Sequence, residues 1–137
     1  MIAMLHRRHI LGGILALSAI SKAHAQMEMP FPVGQVWVAE SLDGQPFANV
    51  SQPTLRFTAE GQVQGNAGCN RYTGAASAKG SQLTLGPLAM TRMACFGAGG
   101  DNERLFAPAI SSTTGWRMEQ QRLVIETARG TLRFRRR

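Results

Sequence analysis

Histidine is missing from everything after residue 25. The chain has three, His6, His9 and His24, and all lie in its first 25 residues. A domain built from the remainder cannot run Ser-His-Asp or Cys-His catalysis. Nor can it assemble the usual histidine-based zinc or copper sites. Beyond that point there is one lysine, Lys79, and one tyrosine, Tyr72. Carboxylates are few and scattered. A hydrolase built on two of them stays open in principle, yet no two form a recognisable motif. These gaps lead to the expectation of a non-enzymatic protein with no cofactor and no metal. There is no internal repeat, low-complexity segment or linker.

Long apolar runs are also lacking. The longest, residues 10–20, falls well short of the roughly 20 residues a membrane-spanning helix needs. Its setting is that of an export signal. Arg7 and Arg8 precede it, and Ala23-His24-Ala25 supplies the small-x-small pattern ahead of a cut before Gln26. Arg7-Arg8 also fits a twin-arginine signal, and an ordinary basic start explains it as well. No cysteine follows the apolar run, so no lipid-acceptor site is visible. The expectation is a signal peptide over 1–25, a leader arm over 26–33, and one domain over 34–137 that is periplasmic or secreted, with no transmembrane segment. Without Arg7, Arg8 and Lys22, twelve of the fifteen basic residues stand against eight acids, a net charge of +4. The 112 residues left suit one domain with one core.

Cysteine is the third scarcity, with Cys69 and Cys95 alone. Two cysteines in a chain with an export signal favour a structural disulfide. A redox-sensing or metal-binding thiol pair is the alternative, and the spacing is not the Cys-x-x-Cys that redox chemistry favours.

What is present is a series of short alternating runs with turn signals between them. Residues 35–42, 54–59, 62–64, 70–77, 82–85, 116–119, 122–127 and 131–135 read as strands. Leu55, Phe57, Leu123, Ile125, Leu132 and Phe134 point inward. Asp43-Gly44, Glu60-Gly61, Lys79-Gly80 and Arg129-Gly130 mark turns. One helix is expected, capped by Asp101 or Asn102, with Glu103 in its first turn and Leu105, Phe106, Ala109 and Ile110 as its apolar stripe. Pro108 predicts that it is short or kinked and ends near Ser111. The fold class is α+β, mainly antiparallel β: a small, partly open barrel-like sheet with the helix over one opening.

Gly65, Gly68 and Gly74 read as backbone permissions for bulges or close strand approach. Gly65-x-x-Gly68 is no phosphate loop, since no Lys-Ser/Thr follows. Asn70 suits backbone bonding in a turn and, as the alternative, ligand contact. With Arg71, Tyr72 and Arg92 it makes a candidate recognition surface, although Tyr72 also suits half-buried packing. Arg133, Arg135, Arg136 and Arg137, near Arg117, Arg122 and Arg129, form a basic end. Its two readings are protection of an edge strand and attraction to an anionic envelope surface or acidic partner. Nucleic acid is not expected, because no aromatics interleave with these arginines. Met27, Met29, Met90 and Met93 could serve as soft Cu(I) ligands or as gap fillers.

With Gly-Cys-Asn-Arg-Tyr-x-Gly at 68–74 and Thr-Arg-Met-Ala-Cys at 91–95, the chain resembles the META domain family, which includes the heat-shock protein HslJ. Glu103 and Phe106 match the helix that follows in that family. Trp37, Ser41-Leu42-Asp43-Gly44-Gln45-Pro46, Trp116, Leu123-x-Ile125 and Leu132-x-Phe134 complete a likeness over residues 34–135. The resemblance implies a β-rich domain with one helix. It also implies an envelope or secreted protein linked to stress, drug tolerance or virulence, without an established catalytic activity. Many bacterial members are lipoproteins, and this chain departs from them in having no lipid-acceptor cysteine. The leading expectation is an exported, non-enzymatic domain that binds or protects under stress, its partner an envelope protein or an anionic envelope surface. The rival is a small periplasmic inhibitor of a protease or lysozyme.

Overall fold

The structure is a computed structural model that describes residues 12–13 and 31–137. The export-signal reading and residues 26–30 of the leader arm lie outside the described residues. From Val36 the chain runs β1 (Val36–Leu42), β2 (Gln45–Pro46), β3 (Thr54–Phe57), β4 (Gln62–Asn66), β5 (Arg71–Lys79), β6 (Gln82–Leu85) and β7 (Ala89–Met90). Then come α1 (Gly97–Ser111), β8 (Thr113–Glu119), β9 (Arg122–Thr127) and β10 (Gly130–Arg136).

The barrel is closed, not partly open. The pairing order is β1-β3-β4-β5-β6-β8-β9-β10, and β10 returns to β1, giving a ring of eight strands. β2 hangs off β1 and β7 off β5. The closing seam runs antiparallel from Trp37 opposite Arg136 to Leu42 opposite Leu132, with a bulge between Ala39 and Ser41. A pairing between the first and last strands leaves no local mark in the sequence, which is why closure is not legible there. The thinnest seam is β6 to β8, one register pair, Gln82 opposite Gly115. Trp116 backs it from outside the ladder: its N–H donates to Ser81 O at 3.0 Å and its indole Nε1 to Gly80 O at 2.8 Å.

Strand alternation places the inward residues as expected. Leu55, Phe57, Val63, Leu83, Leu123, Ile125, Leu132 and Phe134 are fully buried in one cluster with Trp37. Phe106 of α1 joins it by edge contact with Phe134 on β10 and a tilted contact with Tyr72 on β5, ring centroids 6.2 and 5.8 Å away. In the ring of eight, β5 and β10 stand four strands apart in either direction. One aromatic ring that reaches both plugs the barrel interior. The end of the leader arm is also packed: Phe31 lies 4.5 Å from the Phe57 ring and 5.0 Å from that of Trp116. Among the described residues, every strand of the closed ring, the helix and the core cluster fall within 31–137, a stretch that closes on itself around one core.

The helix differs from the sequence expectation at its start. It begins at Gly97, and its N-cap, Phe96, is extended and makes no side-chain cap bond. Asp101, Asn102 and Glu103 therefore lie beyond the first turn. Asn102 is not a cap but a buried pin. Its Oδ1 accepts from Ala48 N at 2.9 Å, and its Nδ2 donates to Ala48 O and Val50 O, both at 3.1 Å. The helix runs through Pro108 and ends at Ser111, as expected. Phe106, Ala109 and Ile110 are buried, whereas Leu105 of the expected stripe is exposed.

The arginine-rich strand is likewise not an edge. β10 pairs with β9 on one side and β1 on the other. Arg133 pairs with Glu119 at 3.1 Å, Arg117 with Glu119 at 3.2 Å and with Glu126, and Arg122 with Glu40 at 3.0 Å. Val124 stands opposite both Arg117 and Arg133 and is fully buried, though it belongs to the outer face. The arginine stems roof it while their heads meet carboxylates.

Candidate functional site

The cysteine motifs form one structural knot. Cys69, in the turn between β4 and β5, is disulfide-bonded to Cys95, just before α1, with Cα atoms 6.0 Å apart. Asn70 sits beside it, 4% exposed, and every polar atom of its side chain is engaged. Its Oδ1 accepts from Met93 N at 2.7 Å and from the Thr91 hydroxyl at 3.0 Å. Its Nδ2 donates to Glu103 Oε2 at 2.8 Å and to Met93 O at 3.2 Å. Glu103 Oε1 in turn accepts from Asn70 N at 2.6 Å and Cys69 N at 3.3 Å. The turn packs against the first turn of the helix because residue 68 is glycine. A Cβ there would strike the Gly99 carbonyl and stand 2.9 Å from Glu103 N, and φ is +129°.

A groove of about 700 Å³ opens next to this knot. Its walls come from the outward positions of adjacent strands: Gln64 and Asn66 on β4, Arg71 and Thr73 on β5, and Thr91 after β7. Thr91 ties the rim: its Oγ1 accepts from Arg71 N, and its own N–H donates to Arg71 O, both at 3.0 Å. Beneath, the Tyr72 hydroxyl donates to Thr54 O at 2.7 Å. Gly65 makes room for that bond, since a Cβ there would collide with Thr54 O and stand 2.8 Å from the hydroxyl. Burial pushes the Tyr72 phenol far above its ordinary range, so it stays protonated. The site is thus a guanidinium among amides and hydroxyls, held on a rigid wall. Such a set of groups can recognise polar or anionic ligands, with Arg71 as a fork-shaped donor.

The candidate recognition residues therefore divide. Asn70 is buried and bonds the backbone around its turn, as its structural reading expected; Tyr72 is not on an exposed edge but buried beneath the groove, its hydroxyl on Thr54 O. Arg71 is exposed and lines the groove. Arg92 is exposed on the adjoining loop but does not line it. Gln64, Asn66 and Thr73 were missed, although strand alternation would have put them on the face of Arg71. Met90 lines the groove and Met93 is on the loop; Met27 and Met29 lie outside the described residues. No cluster of three or more His, Cys, Asp or Glu suited to a metal occurs among the described residues. No helix among them is long and apolar enough to cross a membrane.

The profile of the META domain matches residues 30–137. The chain belongs to the META domain family. No curated protein matches it. Solved structures do. A protein from Burkholderia xenovorans with an NMR structure is similar at 30% identity and a TM-score of 0.60, covering 77% of this chain and 83% of its own. Another protein with an NMR structure is 25% identical with a TM-score of 0.60, covering 74% and 87%. A crystal structure of a duf4847 family protein from Bacteroides vulgatus is 13% identical with a TM-score of 0.53, covering 80% and 96%, and shows the fold alone. Within this META domain, the two cysteine motifs, 68–74 and 91–95, meet in the Asn70 knot.

Proposed function

We propose that this META domain is an exported, non-enzymatic binding protein of the cell envelope, with a protective role under stress, and that its ligand-recognising wall is the Arg71 groove. The groove supports this reading: it offers one guanidinium on a main chain held by Thr91 together with neutral hydrogen-bonding groups, and burial keeps its one phenol protonated. A rigid barrel loses little conformational entropy on binding, which suits a module whose work is recognition. The arginines at residues 7 and 8 and the small-x-small pattern at 23–25 support the periplasmic or secreted setting.

The inhibitor reading would use the exposed loop at 91–96 as a substrate-like strand. Such a strand lends its main chain to the enzyme, whereas Met93 turns both its N–H and its C=O onto Asn70. Support for that reading is accordingly thinner.

The test is a partner search in native envelope extracts with the wild-type chain and Arg71→Gln side by side. A partner or ligand retained by the first and lost by the second is expected. Equal retention would remove the groove from the account, and turnover abolished by changing a single acid would replace binding with catalysis.

A further inference from the structure

The end of the barrel at the disulfide carries an apolar tip. Phe96 is 90% exposed, Val50 64% and Met93 59%. Val50, Ala94, Phe96, Ala98 and the disulfide line one shallow depression of about 560 Å³, as do Ser51 and Asn66. A phenylalanine this exposed at the entry of a helix does nothing for the core. Its position is nonetheless fixed: the disulfide holds the neighbouring Cys95, and Asn70 holds the Met93 main chain. Met93 thus offers its side chain outward while its main chain turns inward.

The charge around the tip has one sign. Arg92 precedes Met93 and Arg71 adjoins Asn70; both are exposed, and neither makes an ion pair among the described residues. The nearest acids in sequence are already taken. Glu103 faces inward onto Asn70, and Asp101 pairs with Arg104. By contrast, on the β8–β10 face Glu119 and Glu126 neutralise Arg117 and Arg133.

We propose that this tip docks on an anionic phospholipid surface, with Phe96 and Met93 entering the interface and Arg92 and Arg71 meeting lipid phosphates. A bilayer asks only for side chains: an apolar group to bury and cations beside it. A partner strand would need main-chain groups, and those of Met93, at the centre of the loop, are already bonded to Asn70. Docking of this kind would hold the domain at a membrane reversibly. It rests on the proposed export only for where the lipid is met, and it does not depend on the groove's ligand.

The test uses the chain without residues 1–25, which keeps every element of the barrel, and sedimentation with vesicles at low salt. Binding to vesicles of equal parts phosphatidylglycerol and phosphatidylcholine is expected, with little binding to phosphatidylcholine alone. Phe96→Ser should weaken binding at least about tenfold, and Arg92→Gln about fivefold. Because both side chains are exposed, the variants should keep the wild-type circular dichroism spectrum. Brominated lipid chains should quench a tryptophan placed by Phe96→Trp but not one placed by Leu105→Trp on the helix. Absent vesicle binding, unchanged binding by the Phe96→Ser chain, or a saturable protein partner at the tip that excludes vesicles would each overturn the proposal. Any of these would leave the groove reading standing, since that is tested by retention in envelope extracts with Arg71→Gln.

Discussion

Glu103 of the helix clasps Asn70 of the β4–β5 turn with both oxygens, Oε1 on the main-chain N–H at 2.6 Å and Oε2 on the side-chain Nδ2 at 2.8 Å. Through Asn70 the same carboxylate governs Met93 and Thr91, which Asn70 Oδ1 holds in turn. One residue pair therefore joins the turn, the loop and the helix at one end of the barrel.

Asn70→Ala should be among the most damaging single changes that leave the apolar core intact. It strands the Met93 N–H and one Glu103 oxygen in a nearly closed site, and each unsatisfied group costs about 1–3 kcal/mol. A loss of about 3 kcal/mol in urea unfolding is expected, and Glu103→Ala should lose a similar amount. Because the two share their bonds, the double variant should lose less than the sum. Strict additivity would show that the clasp does not act as a unit.

The disulfide closes a separation of 26 residues. In the chain-entropy account that is worth about 3.5 kcal/mol. Cys69→Ser with Cys95→Ser should lower the unfolding midpoint accordingly while the far-ultraviolet spectrum below it stays native. Mass spectrometry of the untreated protein should gain two protons on reduction. Two free thiols before reduction would contradict the bond.

Tyr72 is the sole tyrosine, so its ionisation can be read directly from absorbance. Its folded value is raised above the ordinary 10.0 because burial disfavours the phenolate. The stability this represents is fully present below pH 10 and is lost as pH climbs through and above it. The native protein should show no phenolate signal on passing pH 10, and the signal should appear together with unfolding. A smooth native titration near pH 10 would mean that the hydroxyl is reachable by water. Tyr72→Phe should cost about 1 kcal/mol through the lost bond to Thr54.

Acid should weaken the β8–β10 face. Hydrogen bonding to Arg133 chiefly lowers the Glu119 carboxyl, and hydrogen bonding to Arg117 chiefly lowers that of Glu126, both from an ordinary 4.5. For groups so depressed, the contribution is present above the unfolded value and fades as pH falls below about 4.5 through the lowered folded values. Both groups are exposed, so the effect should be small and shrink in salt. The unfolding midpoint of Glu119→Gln with Glu126→Gln should fall less than that of wild type between pH 5 and pH 3. An equal fall would place the acid sensitivity elsewhere.

Much of the strand order was legible because it rests on a local rule. Alternation in 54–57, 122–127 and 130–136 tells which side chains face inward, since successive residues on a strand point to opposite faces. The turns at Asp43-Gly44 and Lys79-Gly80 follow from residues that accept left-handed dihedrals. The same rule, applied to Gln64, Asn66 and Thr73, would have outlined the groove beside Arg71. The helix start was not legible. Sequence rules look for a capping side chain, and here the disulfide and the Glu103 clasp hold the first turn from outside the helix.

By itself, the sequence determined the family, the cysteine pair as candidate staple, the inward faces of the strands and the lack of histidine chemistry beyond residue 25. Each depends on residue identity or on neighbours a few positions away. Only the tertiary structure decided that β1 and β10 close the barrel, that Asn70 and Tyr72 belong to the interior, and that Arg117, Arg122 and Arg133 are paired with carboxylates while Arg71 and Arg92 are not. These depend on contacts between positions tens of residues apart, where burial and partner geometry assign a side chain its role.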